Sequence, residues 1–241
     1  MIYKINPNFQ TNRAGVKMPQ QRFPYEFFEY LASRVAEGCD TDRLPSLNQL
    51  SDELGISVAR LREQLEVIKA LGLVEVRPRT GIRCLPYSFF PAVWQSLSYA
   101  ISVDHDYFEA FSDLRKQLER AYWEQAITSL TPEDIAYLDS LMAQAWEKLR
   151  GSPVRIPHHE HRELHLCIYR RLGNPFVLGI MEAYWEAYEA VGLSLYTDYG
   201  YYEQVWSYHQ KMIDAIKQAD YQASYQALVS HFELLRKRPG V

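Results

Sequence analysis

The chain is poor in cysteine: Cys39, Cys84 and Cys167 are scattered through 241 residues, with no CxxC pair among them. That usage supplies neither a disulfide framework nor a thiolate metal site, and a reducing cytoplasm suits it best. Long apolar runs are missing as well. No stretch approaches the roughly 20 residues that span a bilayer, so no membrane partner is expected. The opening Met1-Ile-Tyr-Lys-Ile-Asn-Pro7 has neither the apolar stretch nor the small-residue cleavage site of a secretory leader. Low-complexity tracts and internal repeats are absent. An excess of positive charge is absent too: the formal net charge of −4 excludes a bulk nucleic-acid coat protein but leaves room for a local basic surface.

What is present suffices for two small domains, each with its own core. The 18 tyrosines and five tryptophans are mostly core or interface material. Residues 1–24 hold Lys4, Arg13, Lys17 and Arg22 without an acid, as an N-terminal arm open to disorder. Such an arm is read either as a solvated tail or as a reach toward DNA phosphates. A first helix follows from Pro24 to about Glu37, with Phe27, Phe28, Leu31 and Val35 on one side.

The next stretch organises the front of the chain. Ser46 is an N-cap residue, and Leu47, Leu50 and Leu54 repeat at helical spacing. Gly55 stands where that helix must stop and turn, and Ser57 can cap the next. Leu61, Leu65 and Ile68 make the inner face of the second helix, leaving Val58, Arg60, Arg62 and Lys69 to point elsewhere. Beyond Gly72, Val74 and Val76 alternate as in a strand, and Arg77-Pro-Arg-Thr-Gly81 forms a basic turn before Ile82. Helix, turn, helix and basic hairpin over residues 25–86 predict a winged helix-turn-helix, whose second helix enters the DNA major groove.

Residues 87–103 are too apolar for a free linker and are assigned to an inter-domain linker helix, packed between domains or across a dimer. From Asp104 to 238 the pattern is helical throughout. Spans are predicted near 104–128, 131–149, 157–171, 174–194, 199–218 and 219–237. Thr131-Pro-Glu-Asp134 is a capping box with proline at the first helical position, and Gly151-Ser-Pro153 and Gly173-Asn-Pro175 break the chain. Long helices on short loops make an antiparallel bundle. The fold class is therefore mainly α, a winged helix-turn-helix followed by an all-α bundle.

Histidines are the chemistry of the bundle. His158 and His159 sit at a helix start and are read as solvent-facing. His161 and His165, four residues apart, share a helical face at a two-ligand metal spacing. His209 and His231 lie on the last two helices, so three helices could aim imidazoles inward. Each histidine taken singly is more often a packed or surface residue than a ligand.

Two sets of residues resemble one known family. Leu44-Pro-Ser46, Leu54-Gly-Ile-Ser57, Leu61-Arg-Glu63 and Gly72-Leu-Val-Glu-Val-Arg-Pro-Arg-Thr-Gly81 look like the amino-terminal domain of GntR transcription regulators. Leu114-Arg115-Lys-Gln-Leu118-Glu119, His161-Arg-Glu-Leu-His165, Gly173-Asn174, Tyr208-His209 and Val229-Ser-His231-Phe resemble the helical effector domain of the FadR-type branch, called FCD. The resemblance implies a DNA-binding regulator, not an enzyme, and more often a repressor than an activator. Its helical domain would hold a divalent ion and a small organic acid effector. His165, His209 and His231 match the three histidine positions of metal-binding members. The fourth position departs from the pattern, with His161 in place of an aspartate.

Four neutral imidazoles leave a divalent ion's charge uncompensated, favouring zinc or nickel over magnesium or manganese. The competing reading is that loss of the aspartate has abolished metal binding. Arg115 and Asn174 are the expected effector contacts, Arg115 through a forked contact to a carboxylate. DNA-contact positions are Ser46, Asn48, Ser57, Val58, Arg60, Arg62, Arg77, Arg79 and Gly81. Val58 and Asn48 replace arginines of the family pattern, which implies an unusual operator or weaker affinity.

The expected partners are a pseudo-palindromic duplex operator, a small organic acid and a second copy in a homodimer. Two other readings remain: a winged unit that has lost specific DNA binding and serves only dimer or partner contact, and a helical-bundle metalloenzyme. The second is disfavoured because neither HExxH nor a glutamate-rich di-metal pattern is present.

Overall fold

The structure is a computed structural model that describes residues 25–36, 43–192 and 198–236. The arm at residues 1–24 and the acidic loop at Asp40–Asp42 lie outside the described residues. The chain divides into two compact units, residues 1–87 and 88–241. Among the described residues there are ten helices and one two-stranded sheet.

The first unit contains α1 (Glu26–Ala36), α2 (Leu47–Leu54), α3 (Val58–Ala70), β1 (Val74–Arg77) and β2 (Gly81–Cys84). The Ser46 hydroxyl accepts from the Gln49 amide while the Gln49 side chain accepts from the Ser46 amide, a reciprocal cap that fixes where α2 begins. Gly55 ends α2 at φ +67°, a left-handed conformation costly for any residue with a Cβ. Ser57 then caps α3 by accepting from the Arg60 amide. β1 and β2 pair antiparallel, Val74 opposite Cys84 and Arg77 opposite Gly81. A bridge from Arg43 to Arg83 adds a short third edge.

The core of this unit is Phe27, Leu31, Leu44, Leu50, Leu61, Leu65, Ile68, Val74 and Ile82, all buried. Gln64 is the polar exception: its side-chain oxygen accepts from the Phe27 amide at 2.9 Å, and its nitrogen donates to Glu26 at 2.6 Å. These bonds tie α1 to α3. Val35, expected on the inner side of α1, is instead 59% exposed. At 100° per residue it stands eight positions from Phe27, on the fringe of the buried stripe, and no described residue covers it.

The second unit holds α4 (Phe90–Val103), α5 (Asp106–Thr128), α6 (Pro132–Arg150), α7 (His158–Arg170), α8 (Pro175–Ala190), α9 (Tyr199–Lys217) and α10 (Tyr221–Arg236). Thr131 and Asp134 form the expected capping box for α6, and Asp220 caps α10 by accepting from the Ala223 amide. The assignment of 87–103 to a linker is corrected: α4 packs along α8 and α5 within the helical unit. Gly179 makes that packing possible. A Cβ at this position would lie 2.7 Å from the Phe90 nitrogen and 2.9 Å from the Phe89 carbonyl carbon. The extended apolar core runs through every helix of the unit, from Leu97 and Ile101 of α4 to Leu228 and Phe232 of α10.

Candidate metal centre and nucleic-acid interface

The turn between α9 and α10 brings the two distant histidines together. His209 lies about two turns before the end of α9 and His231 nearly three turns after the start of α10, so an antiparallel hairpin sets them at one level. Their Nε2 atoms are 2.7 Å apart. α7 adds the pair one turn apart: His165 Nε2 lies 3.3 Å from His209 Nε2, and His161 Nε2 lies 3.4 Å from His231 Nε2. One ligand atom from each of the four histidines falls within a 4.8 Å span. All four side chains are buried, His165, His209 and His231 completely.

These residues fit a divalent ion. A tetrahedral centre with metal–nitrogen bonds of about 2.0–2.1 Å has nitrogen–nitrogen edges of about 3.4 Å. Two of the observed separations meet that edge, and the third, between His209 and His231, needs to open by several tenths of an ångström. Burial, followed by the neighbouring imidazoles, pushes His161, His209 and His231 well below the ordinary histidine range, so their lone pairs are available. The donor set is purely imidazole, which suits zinc or nickel and not magnesium. Trp185 stacks edge-on to His161 at 4.7 Å between ring centres, and Trp206 lies edge-on to His209 at 4.9 Å.

A residue to which the sequence reading gave no role stands behind His165. Glu119 of α5 is fully buried, its Oε2 3.2 Å from His165 Nδ1 and its Oε1 2.5 Å from Arg115 Nε. Burial opposes its ionisation, but Arg115 and then His165 outweigh burial and hold the carboxyl below its ordinary range. The signal was the four-residue spacing from Arg115, which resembles any surface helix pair.

Both expected effector contacts already have partners within the protein. Arg115 is only 1% exposed, and the carboxylate it meets is Glu119 of its own helix. The rings of Tyr184, Trp185 and Phe232 close over its guanidinium at 4.5, 5.5 and 5.3 Å. Asn174 is the N-cap of α8, its side-chain oxygen accepting from the Phe176 and Val177 amides. It stands eleven positions before Trp185, about 16 Å along the helix from the histidines that Trp185 touches. His159 is exposed as expected, but His158 is half-buried with its ring edge-on to Tyr202.

The DNA-contact positions lie on the surface of the winged unit. Asn48, Arg62, Arg77 and Arg79 are exposed, and Val58 and Gly81 are half-buried. Ser46 and Ser57, both exposed, spend their hydroxyls on capping. Arg79 holds the wing turn at φ +66°. Arg60 is placed differently from the expectation of a free base contact: its Nη2 pairs with Glu26 Oε1 at 2.6 Å, tying it back to α1. Arg77 likewise pairs with Glu75 at 3.0 Å. Arg62 has no ion pair among the described residues.

A family model for the FCD domain matches residues 110–234, more than half of the chain. An HTH-type transcriptional regulator of Escherichia coli, YieP, is 28% identical over 86% of this chain and 91% of its own length. This chain belongs to the GntR family of transcriptional regulators, FCD type. The Uxu operon transcriptional regulator of Escherichia coli is 25% identical over 82% of this chain and 78% of its own length. The GntR structure from Streptococcus agalactiae superposes with a TM-score of 0.67 at 16% identity, covering 88% of this chain and 97% of that one. That match shows the shared fold of a winged helix and a helical FCD domain. These relatives are named as regulators and none as an enzyme. Among the described residues no helix is long and apolar enough to cross a membrane.

Proposed function

We propose that this GntR-family protein is a ligand-responsive repressor that binds a pseudo-palindromic operator as a homodimer and responds to a small carboxylate through a metal centre in its FCD domain. The observation that carries the reading is the convergence of four buried Nε2 atoms from three helices. His161, His165, His209 and His231 hold the ion, zinc or nickel. When bound, the ion would supply Lewis acidity, and an effector carboxylate would have to join the four imidazoles as an additional ligand. The residues themselves tie α7, α9 and α10 into one rigid group, and Trp185 and Trp206 keep water from the imidazoles. Because none of the four ligands is a carboxylate, the loaded centre keeps its positive charge and draws an anion strongly.

On DNA, α3 enters the major groove with Arg62 at its exposed face, while Arg77 and Arg79 of the wing set the backbone register. Effector binding changes operator affinity only as far as the acid favours one arrangement of the protein over another.

The test combines elemental analysis with mobility shift on the promoter upstream of the protein's own gene. Zinc or nickel near one ion per chain is expected in the wild type, and in His209→Ala, with three ligands left, a loss of affinity of about 100-fold, the upper end of what changes behind a ligand cause. A carboxylic-acid panel is expected to release DNA from the metal-loaded protein and not from the stripped one. Absence of any bound ion, with no stabilisation by added zinc or nickel, contradicts the metal centre. The pairing of Arg60 with Glu26 favours one second reading, a winged unit serving only protein contact. Failure to shift DNA at low salt, with or without metal, would establish that reading instead.

A further inference from the structure

Of the four clustered histidines, only His165 has a hydrogen-bonding partner for its far ring nitrogen among the described residues. The Nδ1 atoms of His161, His209 and His231 are buried without one, whereas His165 Nδ1 faces Glu119 Oε2 at 3.2 Å. We infer that Glu119 is a positioning residue of the metal centre: it takes the Nδ1–H of His165, and so presents the bare Nε2 to the ion, while Arg115 serves as its internal counter-ion. The inference rests on the metal reading above.

A competing tautomer has a donor at hand. Arg115 Nη2 lies 3.1 Å from the same Nδ1 and could donate to it, leaving the proton on Nε2 inside the cluster. Three features of the geometry weigh against that arrangement. A bare Nδ1 would aim its lone pair at a carboxylate oxygen inside a dry interior, where such repulsion is least screened. Glu119 Oε2 would lose its donor, at the full cost of a buried unsatisfied charge-bearing atom. Arg115 needs no imidazole acceptor, because it already grips Glu119 Oε1 at 2.5 Å and lies among the faces of Tyr184, Trp185 and Phe232.

The arrangement also explains how the ligand set functions without a carboxylate. A carboxylate hydrogen-bonded behind a metal-binding histidine fixes its ring and raises its basicity. Glu119 does this for His165, while its own charge is balanced by Arg115 and the centre's net charge is left unchanged. Arg115, fully enclosed, makes the charge affordable when no ion is present, since an unpaired buried carboxylate would not stay ionised.

The deciding measurement is the His165 tautomer in protein stripped of metal, read from long-range proton–nitrogen correlation of histidine-labelled samples. It needs no variant and no bound ion. The wild type is expected to carry the proton on Nδ1. In Arg115→Met/Glu119→Leu, an apolar replacement that removes both buried charges together, both tautomers should be populated. Zinc binding, measured by competition with a chromogenic chelator, should weaken about tenfold to 100-fold. A bare Nδ1 in the stripped wild type overturns the proposal, even if zinc binds. So does unchanged zinc affinity or an unchanged tautomer in the leucine variant. A wild type with the expected tautomer that fails to bind zinc refutes the metal centre itself, and the proposal with it.

Discussion

In the winged unit the residues suited to a partner stand on the surface: Asn48, Arg62, Arg77 and Arg79 are exposed, and the core beneath them is almost wholly apolar. In the helical unit the order is reversed. Its chemistry is in the interior, where four imidazoles, Arg115 and Glu119 are enclosed by Trp185, Trp206, Tyr184 and Phe232. A surface built to meet a phosphate backbone can change a side chain with little effect on folding. A buried polar cluster cannot, because each group removed leaves another unpaired in a medium of low dielectric. The two units should therefore respond to substitution along different axes, the first in DNA affinity and the second in stability and ligand binding.

The largest effect that would break this contrast is sought at the α4–α8 contact. Gly179→Ala places a methyl group within 2.9 Å of backbone atoms on α4, so the helices must separate. A loss of about 1–3 kcal/mol in unfolding free energy is expected from overpacking, with the stripped protein's melting transition as readout. No change would show that α4 moves aside freely. Arg62→Ala should do the opposite, costing about 1–3 kcal/mol in operator binding while moving unfolding by no more than about 0.5 kcal/mol. A comparable loss of stability would place Arg62 in the fold and not at the interface.

The third is a pH effect inside the helical unit but at its surface. Asp134 has its carboxyl pushed down to about 2 from 3.8 by Arg171, which donates to it at 2.8 and 3.1 Å, and by the Thr131 amide. A depressed folded-state pKa stabilises above the unfolded value, and the contribution fades as pH falls from about 4 toward 2. Asp134→Asn should cost about 1 kcal/mol at neutral pH, in the range of a lost helix cap, and the deficit should shrink over that acid window. A deficit independent of pH would mean that packing, not charge, is responsible. Smallest is Glu26→Gln. It releases Arg60 from its 2.6 Å ion pair, and operator binding should tighten a few-fold at most, more at low salt than at high. Weaker binding would instead make Glu26 a brace for α3.

Much of this was legible in the residue order because short-range rules governed it. Ser46 with Gln49, Gly55, Ser57, Thr131 with Asp134, and Asp220 each mark a helix end by local hydrogen bonding, so most boundaries fell within a few residues of their predicted places. The four histidines were legible because two share a helical face and the others lie on helices joined by a tight turn. What was hidden depends on three-dimensional neighbours. The apolar character of residues 87–103 marks a packed helix, but nothing local reveals that Gly179, some eighty positions on, clears a seat for Phe90. Arg115 and Glu119 looked like a surface pair until the aromatic rings of α8 and α10 closed over them. Arg60 looked free because Glu26 is far away in sequence. Asn174 caps α8, as the local rule for asparagine at a helix start has it.

The most direct test of the central claim is X-ray absorption at the zinc edge of the full-length protein loaded with one equivalent of zinc. A first shell of nitrogen at about 2.0–2.1 Å is expected, with the multiple scattering of four imidazoles and any added carboxylate appearing as oxygen beside them. A sulfur shell, or scattering from fewer than three imidazoles, would contradict it.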